Sequence, residues 1–159
     1  MSDKNLRVVD CDVHNAIRST RDLVPYMPES MRRRLIESGT GAIYCGYYTP
    51  VGVPRKDAFP PGGGPAASDP DFLIEQLIDK HNIEYAILTG GIYDVSSGHD
   101  ADYAAAVASA YNDYLLDHWI DKHPSFKGTV TVATLDPHLA AREIDRMGDH
   151  PDMVGVIMS

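Results

Sequence analysis

Four short runs of β-branched and other apolar residues, each separated from the next by a stretch of helical spacing, constrain this chain's fold more than any other feature. They cover residues 6–13, 84–89, 128–134 and 153–158. Runs this apolar suit strands covered on both faces, as in a parallel sheet. The first helical stretch, residues 28–38, is short and charged and stops before Gly39. Asp69 is placed as the N-cap of the second and Pro70 as its first residue, with Phe72, Leu73, Leu77 and Ile78 at helical spacing. An alanine-rich third helix runs from Asp100 or Ala101 to about His123, with Val107, Tyr111, Leu115 and Trp119 among its core positions. Asp136 and Pro137 open the fourth, which ends at Met147. The order β-α-β-α-β-α-β is that of right-handed parallel crossovers.

Two architectures satisfy this order. One is a complete four-stranded open α/β sheet. The other is the N-terminal half of a (β/α)8 TIM barrel, a fold of about 250 residues. The barrel predicts exposed apolar edges at the first and last strands, since closure alone removes sheet edges.

The first run closes on Asp10-Cys11-Asp12-Val13-His14. Strand side chains alternate faces, so Asp10, Asp12 and His14 are expected to point the same way. Two carboxylates and an imidazole suit a divalent cation such as Zn, Mn or Fe. An acidic side chain in a buried strand is costly unless it is paired or bound to a cation. The competing reading makes Asp10 or Asp12 a cap of the following turn and His14 an ordinary loop histidine. Cys11 is expected to point away from this face into packing.

A formal net charge of −9 disfavours nucleic acid or an anionic membrane as partner, since both need basic surface. Arg32-Arg33-Arg34, the only basic run, reads as a solvated helix face. Two cysteines, Cys11 and Cys45, make no disulfide framework and suit a cytoplasmic location. The first residues lack an apolar signal region, and no run reaches the length of a membrane span.

A long loop, residues 39–69, is rich in Tyr, Gly and Pro. Its segment Pro60-Pro61-Gly62-Gly63-Gly64-Pro65 reads as a mobile loop and not as a phosphate loop, because no Gly-Lys-Ser/Thr follows. Tyr44, Tyr47, Tyr48 and Phe59 would give it contacts for a substrate or a second subunit.

Val9-Asp10-Cys11-Asp12-Val13-His14, followed by Asp22-Leu23-Val24-Pro25-Tyr26-Met27-Pro28, resembles the opening of the amidohydrolase-related family. This is the aminocarboxymuconate-semialdehyde decarboxylase-like group of metal-dependent hydrolases and decarboxylases. Tyr111-Asn112-Asp113-Tyr114-Leu115 is similar to the family's long-helix motif. Thr134-Leu135-Asp136-Pro137 with residues 140–147 is similar to its third strand-to-helix junction, and Val154-Gly155-Val156 to its fourth strand. The match covers nearly all of this chain but only the first half of a family member. It implies residues 1–159 as the N-terminal half of a single barrel domain, truncated after the fourth strand.

The resemblance implies a metal-dependent hydrolase or non-oxidative decarboxylase acting on a small carboxylated, often aromatic, molecule. The family's first-strand pair, His-x-His or an acidic-x-His variant, maps onto Asp12 and His14. An anionic ligand there lowers the site's charge, in the direction of Mn over Zn, both being candidates. Asp10 is a candidate outer support or salt-bridge partner. The remaining ligands and the catalytic acid/base are expected beyond Ser159, so this chain alone is not expected to be active.

Loops at the C-terminal ends of barrel strands build the active face. Gly90, Gly91, Tyr93, His99, Asp136 and His138 fall there, His99 as a substrate contact or a residue of a capping loop, Asp136 as an N-cap. His118, His123, His81 and His150 read as solvated or helix-end residues. The expected partners are a small-molecule substrate and another subunit, as a homo-oligomer or by pairing with the missing half-barrel. The alternative is a self-contained α/β binding or assembly module without catalysis, whose interface would be the Tyr/Gly/Pro loop.

Overall fold

A computed structural model describes residues 6–41 and 54–158. Four parallel strands lie side by side in sequence order: β1 (Val8–Val13), β2 (Ile83–Leu88), β3 (Phe126–Thr131) and β4 (Met153–Ile157). The helices are α1 (Glu29–Ser38), α2 (Pro70–Leu73), α3 (Ala101–His118) and α4 (Pro137–Met147). Strand order bears on the expected barrel. A doubly wound sheet reverses its order at a switch point, whereas a barrel lays each strand beside its predecessor. The order 1-2-3-4 is that of half a barrel.

The expected apolar edges are present. Val9 on β1 is 47% exposed, and Val154 and Val156 on β4 are 51% and 41% exposed. The core lies where α3 covers β2 and β3, around Val107, Tyr111, Leu115, Leu88, Phe126 and Val130. Burying each large side chain there contributes on the order of 1.5–3 kcal/mol.

Three caps follow the expected chemistry. The side chains of Asp69, Asp100 and Asp136 accept backbone N–H groups of the first turns of α2, α3 and α4. Several boundaries differ, among them the end of β3, which stops at Thr131 and not at residue 134. Beyond Leu73, α2 widens into a π-helical turn, Ile74–Asp79. At Trp119 the backbone leaves helical space (φ −121°, ψ −60°), so α3 stops at His118 and a 3-10 turn covers Ile120–Lys122. Trp119 is fully buried there, its ring 5.7 Å from that of Phe126. Finally, β3 begins at Phe126 instead of residue 128, because Ala86 donates to the Ser125 carbonyl and draws that segment into the sheet.

The arginine run is exposed, as expected of a solvated helix face, and each arginine also has a partner. Arg32 donates to the carbonyls of Met27 and Pro25, Arg33 pairs with Glu37, and Arg34 pairs with the Asp100 carboxylate while lying 3.9 Å from the Tyr103 ring centroid. The expectations for Tyr44, Cys45, Tyr47 and Tyr48 fall outside the described residues. In the described part of the long loop, Arg18 donates to the carbonyls of Gly62 and Gly63, tying the glycine-rich segment to the β1 side of the fold.

Two buried amides join the elements. Asn112 on α3 spans Thr131, donating to its carbonyl at 2.9 Å and accepting its N–H at 2.9 Å, and also donates to Glu143 of α4 at 2.7 Å. Arg146 closes that network by pairing with Glu143 and Asp113. Asn15, just past β1, accepts the Gly90 N–H at 3.0 Å and donates to the Tyr111 hydroxyl at 3.1 Å. Gly90 is required for this approach: it has φ +75°, and a Cβ would lie 2.7 Å from the Tyr111 hydroxyl oxygen.

We expect Asn112→Ala to lower unfolding free energy in urea by about 2–4 kcal/mol, because it strands two backbone groups of β3 and a carboxylate. Exposed Arg142→Ala should stay within about 0.5 kcal/mol of the parent. Burial, and then the hydrogen bond to Asp117, push the Tyr26 phenol up to about 12. The folded state therefore holds this proton more tightly than the unfolded chain. That contribution is complete below pH 10 and is lost as pH rises towards about 12, so Tyr26→Phe should flatten the alkaline fall in melting temperature over this window.

Candidate metal centre at the end of the first strand

Strand β1 is not regular where its chemistry lies. Asp10 pairs with Ala86 and Val13 with Leu88, three steps on β1 against two on β2. Such an irregularity interrupts the alternation of side chains, so the pleat alone does not set a shared face for Asp10, Asp12 and His14. Asp10 instead accepts the backbone N–H of Asp12 through Oδ1 at 3.2 Å, a local side-chain-to-backbone bond. Cys11 is exposed, contrary to the packing role expected of it, because β1 is an edge strand.

Asp12 and His14 do come together. His14 Nε2 lies 3.0 Å from Asp12 Oδ1, and the Asp12 and His14 side chains are 74% and 60% exposed. Adjacent donors about 2.1 Å from one octahedral ion lie roughly 3.0 Å apart, so this spacing fits two neighbouring ligands of a small divalent cation. One carboxylate oxygen and one imidazole nitrogen are a donor set for Mn or Zn. Among the described residues, no group of three or more His, Cys, Asp or Glu side chains is placed to hold an ion. The pair is a partial donor set.

What steadies the pair comes from residues that sequence reasoning did not single out. Thr89 directly follows β2. Its N–H donates to the Val13 carbonyl at 3.0 Å, and its hydroxyl lies 3.1 Å from Asp12 Oδ1. Asn15 holds the next residue, Gly90, so the exits of β1 and β2 are fastened side by side. The signal for Asn15 was slight: a polar residue adjoining the Asp12/His14 pair. For Thr89 it was only a hydroxyl at a strand end.

The other candidates are dispersed. His99 is exposed beside Asp100, the N-cap of α3. Asp136 caps α4, accepting from the N–H groups of His138 and Leu139, and His138 itself is exposed. The loops after β2 and β3 are joined where the Thr134 N–H donates to the Ser96 hydroxyl at 2.8 Å. Burial raises the Asp94 carboxyl above its ordinary value in the turn after β2. His118 lies against Tyr114, ring centroids 4.4 Å apart, while His123 and His150 accept backbone N–H groups through Nδ1. No helix among the described residues is long and apolar enough to cross a membrane.

No protein-family model matches the chain. Over 84 residues, 53% of its length, it is 31% identical to the gamma-resorcylate decarboxylase of Polaromonas sp. JS666, and the matched stretch is 26% of that protein. In fold it is similar to 5-carboxyvanillate decarboxylase of Novosphingobium aromaticivorans, solved with manganese and 4-hydroxy-3-methoxy-5-nitrobenzoic acid. That likeness has a TM-score of 0.58 at 25% identity and covers 97% of this chain and 42% of the other. A dihydroxybenzoic acid decarboxylase of Polaromonas sp. JS666, solved with manganese and 2-nitroresorcinol, shares the fold with a TM-score of 0.55 at 22% identity, covering 94% of this chain and 37% of the other. The chain thus spans well under half the length of these relatives. Over that part of their length the chain is similar to decarboxylases of the kind that the resemblance of the segment around Asp12 and His14 implied.

Proposed function

We propose that the protein acts as a metal-dependent, non-oxidative decarboxylase of a small aromatic carboxylic acid, and that residues 1–159 form half of its barrel. Asp12 and His14 serve as two ligands of the metal. The observation that carries this reading is their 3.0 Å approach at the C-terminal end of β1, where barrel enzymes place their chemistry. Decarboxylation is favoured over hydrolysis because the relatives similar in sequence and fold are decarboxylases. Manganese is favoured over zinc because two of those relatives were solved with it.

A bound divalent ion would orient the carboxylated substrate and offset its charge. Asp12 lowers the net charge of the centre and His14 supplies a neutral donor. Thr89 and Asn15 hold the strand exits that carry them. Asp10 supports the Asp12 backbone, and His99 is a candidate contact on the same loop face. A third ligand and the group that protonates the ring carbon lie outside this chain, on later strands of the barrel. The exposed apolar residues of β1 and β4 are then covered by the other half-barrel, in the same polypeptide or in a partner. A cytoplasmic setting is consistent with the sparse cysteines.

The test uses the complete protein. Purified protein should contain close to one equivalent of Mn or Zn by elemental analysis, and Asp12→Ala and His14→Ala should each lower occupancy about tenfold or more. Full occupancy in both variants would remove these residues from the centre. Incubation with gamma-resorcylate or 5-carboxyvanillate should release CO2 and the decarboxylated phenol, and chelator treatment should abolish release until metal is restored. Metal-independent turnover would refute the proposed chemistry.

A further inference from the structure

The hydroxyl of Thr89 has two acceptors within reach, Asp12 Oδ1 at 3.1 Å and the Val13 carbonyl at 3.4 Å, and only one proton to give. The Val13 carbonyl already accepts the N–H groups of Asn15 at 3.1 Å and of Thr89 itself at 3.0 Å. A carbonyl oxygen has two lone pairs, so these bonds saturate it. The hydroxyl proton is therefore directed to Asp12, whose charge also makes it the stronger acceptor. Thr89 is held for this purpose by its own backbone bond to β1 and by Asn15 gripping the following residue, Gly90.

We infer that Thr89 is the positioning residue of Asp12, fixing the carboxylate in the rotamer that faces His14. The Asp12 side chain is largely in solvent, so the pleat alone leaves its rotamers open. The Thr89 hydroxyl and His14 Nε2 converge on the same oxygen, Oδ1. Thr89 touches the metal only through that carboxylate. The consequence for metal affinity rests on the metal-centre reading above; the consequence for the Asp12 rotamer does not.

Two measurements separate them. In metal-free protein, three-bond couplings to the Asp12 β-protons should report one dominant rotamer in the parent and in Thr89→Ser, and averaged couplings in Thr89→Val. Thr89→Val keeps the branched shape and removes the donor. Couplings unchanged in Thr89→Val overturn the assignment whether or not metal binds. In the complete protein, titration of Mn2+ followed by electron paramagnetic resonance should show Thr89→Val binding about 10–100-fold more weakly and Thr89→Ser close to the parent. Equal affinity in Thr89→Val overturns the proposal while leaving the metal centre standing. If the parent itself takes up no Mn2+, the metal reading fails and the coupling measurement still decides the role of Thr89. Circular dichroism melts of the three proteins exclude unfolding as the cause.

Discussion

Asn15 sits fully buried between the first two strand exits and the long helix, and its amide is divided among them. Its carbonyl oxygen takes the Gly90 N–H, its NH2 group reaches the Tyr111 hydroxyl, and its backbone N–H returns to Val13. A buried amide must satisfy these groups inside the protein or bear the cost of leaving water. That requirement fixes how far apart β1 and β2 end, where α3 lies above them, and why residue 90 is glycine. The approach of Thr89 to Asp12 draws on this spacing together with the Thr89 backbone bond to Val13.

Asn112 does the corresponding work one unit further along. It takes both backbone groups of Thr131 at the end of β3 and hands its remaining proton to Glu143 of α4, which Arg146 neutralises. Tyr111, Asn112 and Asp113 are thus three successive residues of α3 serving three directions: β1, β3 with α4, and Arg146. The family-like motif around residue 111 reads physically as the hub that locks neighbouring βα units together. The exposed residues of β1 and β4 mark where that locking stops within this chain.

The sequence carried the element order, the aspartate caps Asp69 and Asp136 and the nearness of Asp12 and His14, because each depends on local chemistry: apolar runs, a cap before proline, polar side chains two residues apart. What it concealed depends on more distant partners. The slip between Asp10 and Val13 follows from pairing with β2, so the pleat alone does not set one face for Asp10, Asp12 and His14. Cys11 looked like core in isolation and is exposed because its strand is an edge. Thr89, 77 residues from Asp12, carries no mark of its role in its own neighbourhood. Arg32 and Arg34 are surface charges as expected, but their partners, at Pro25, Met27 and Asp100, could not be read from the run itself.

Strand order has a kinetic meaning as well. Because every strand pairs with the one immediately before it in sequence, the chain can order itself one βα unit after another, the first crossover, residues 14–82, being the longest of the three. Among the described residues, Asn15, Thr89, Gly90 and Tyr111, which brace the strand end carrying Asp12, lie within the first 111 residues. The approach of Asp12 and His14 can therefore take its shape early in synthesis, once β1, β2 and α3 as far as Tyr111 are in place and before β3 and β4 emerge.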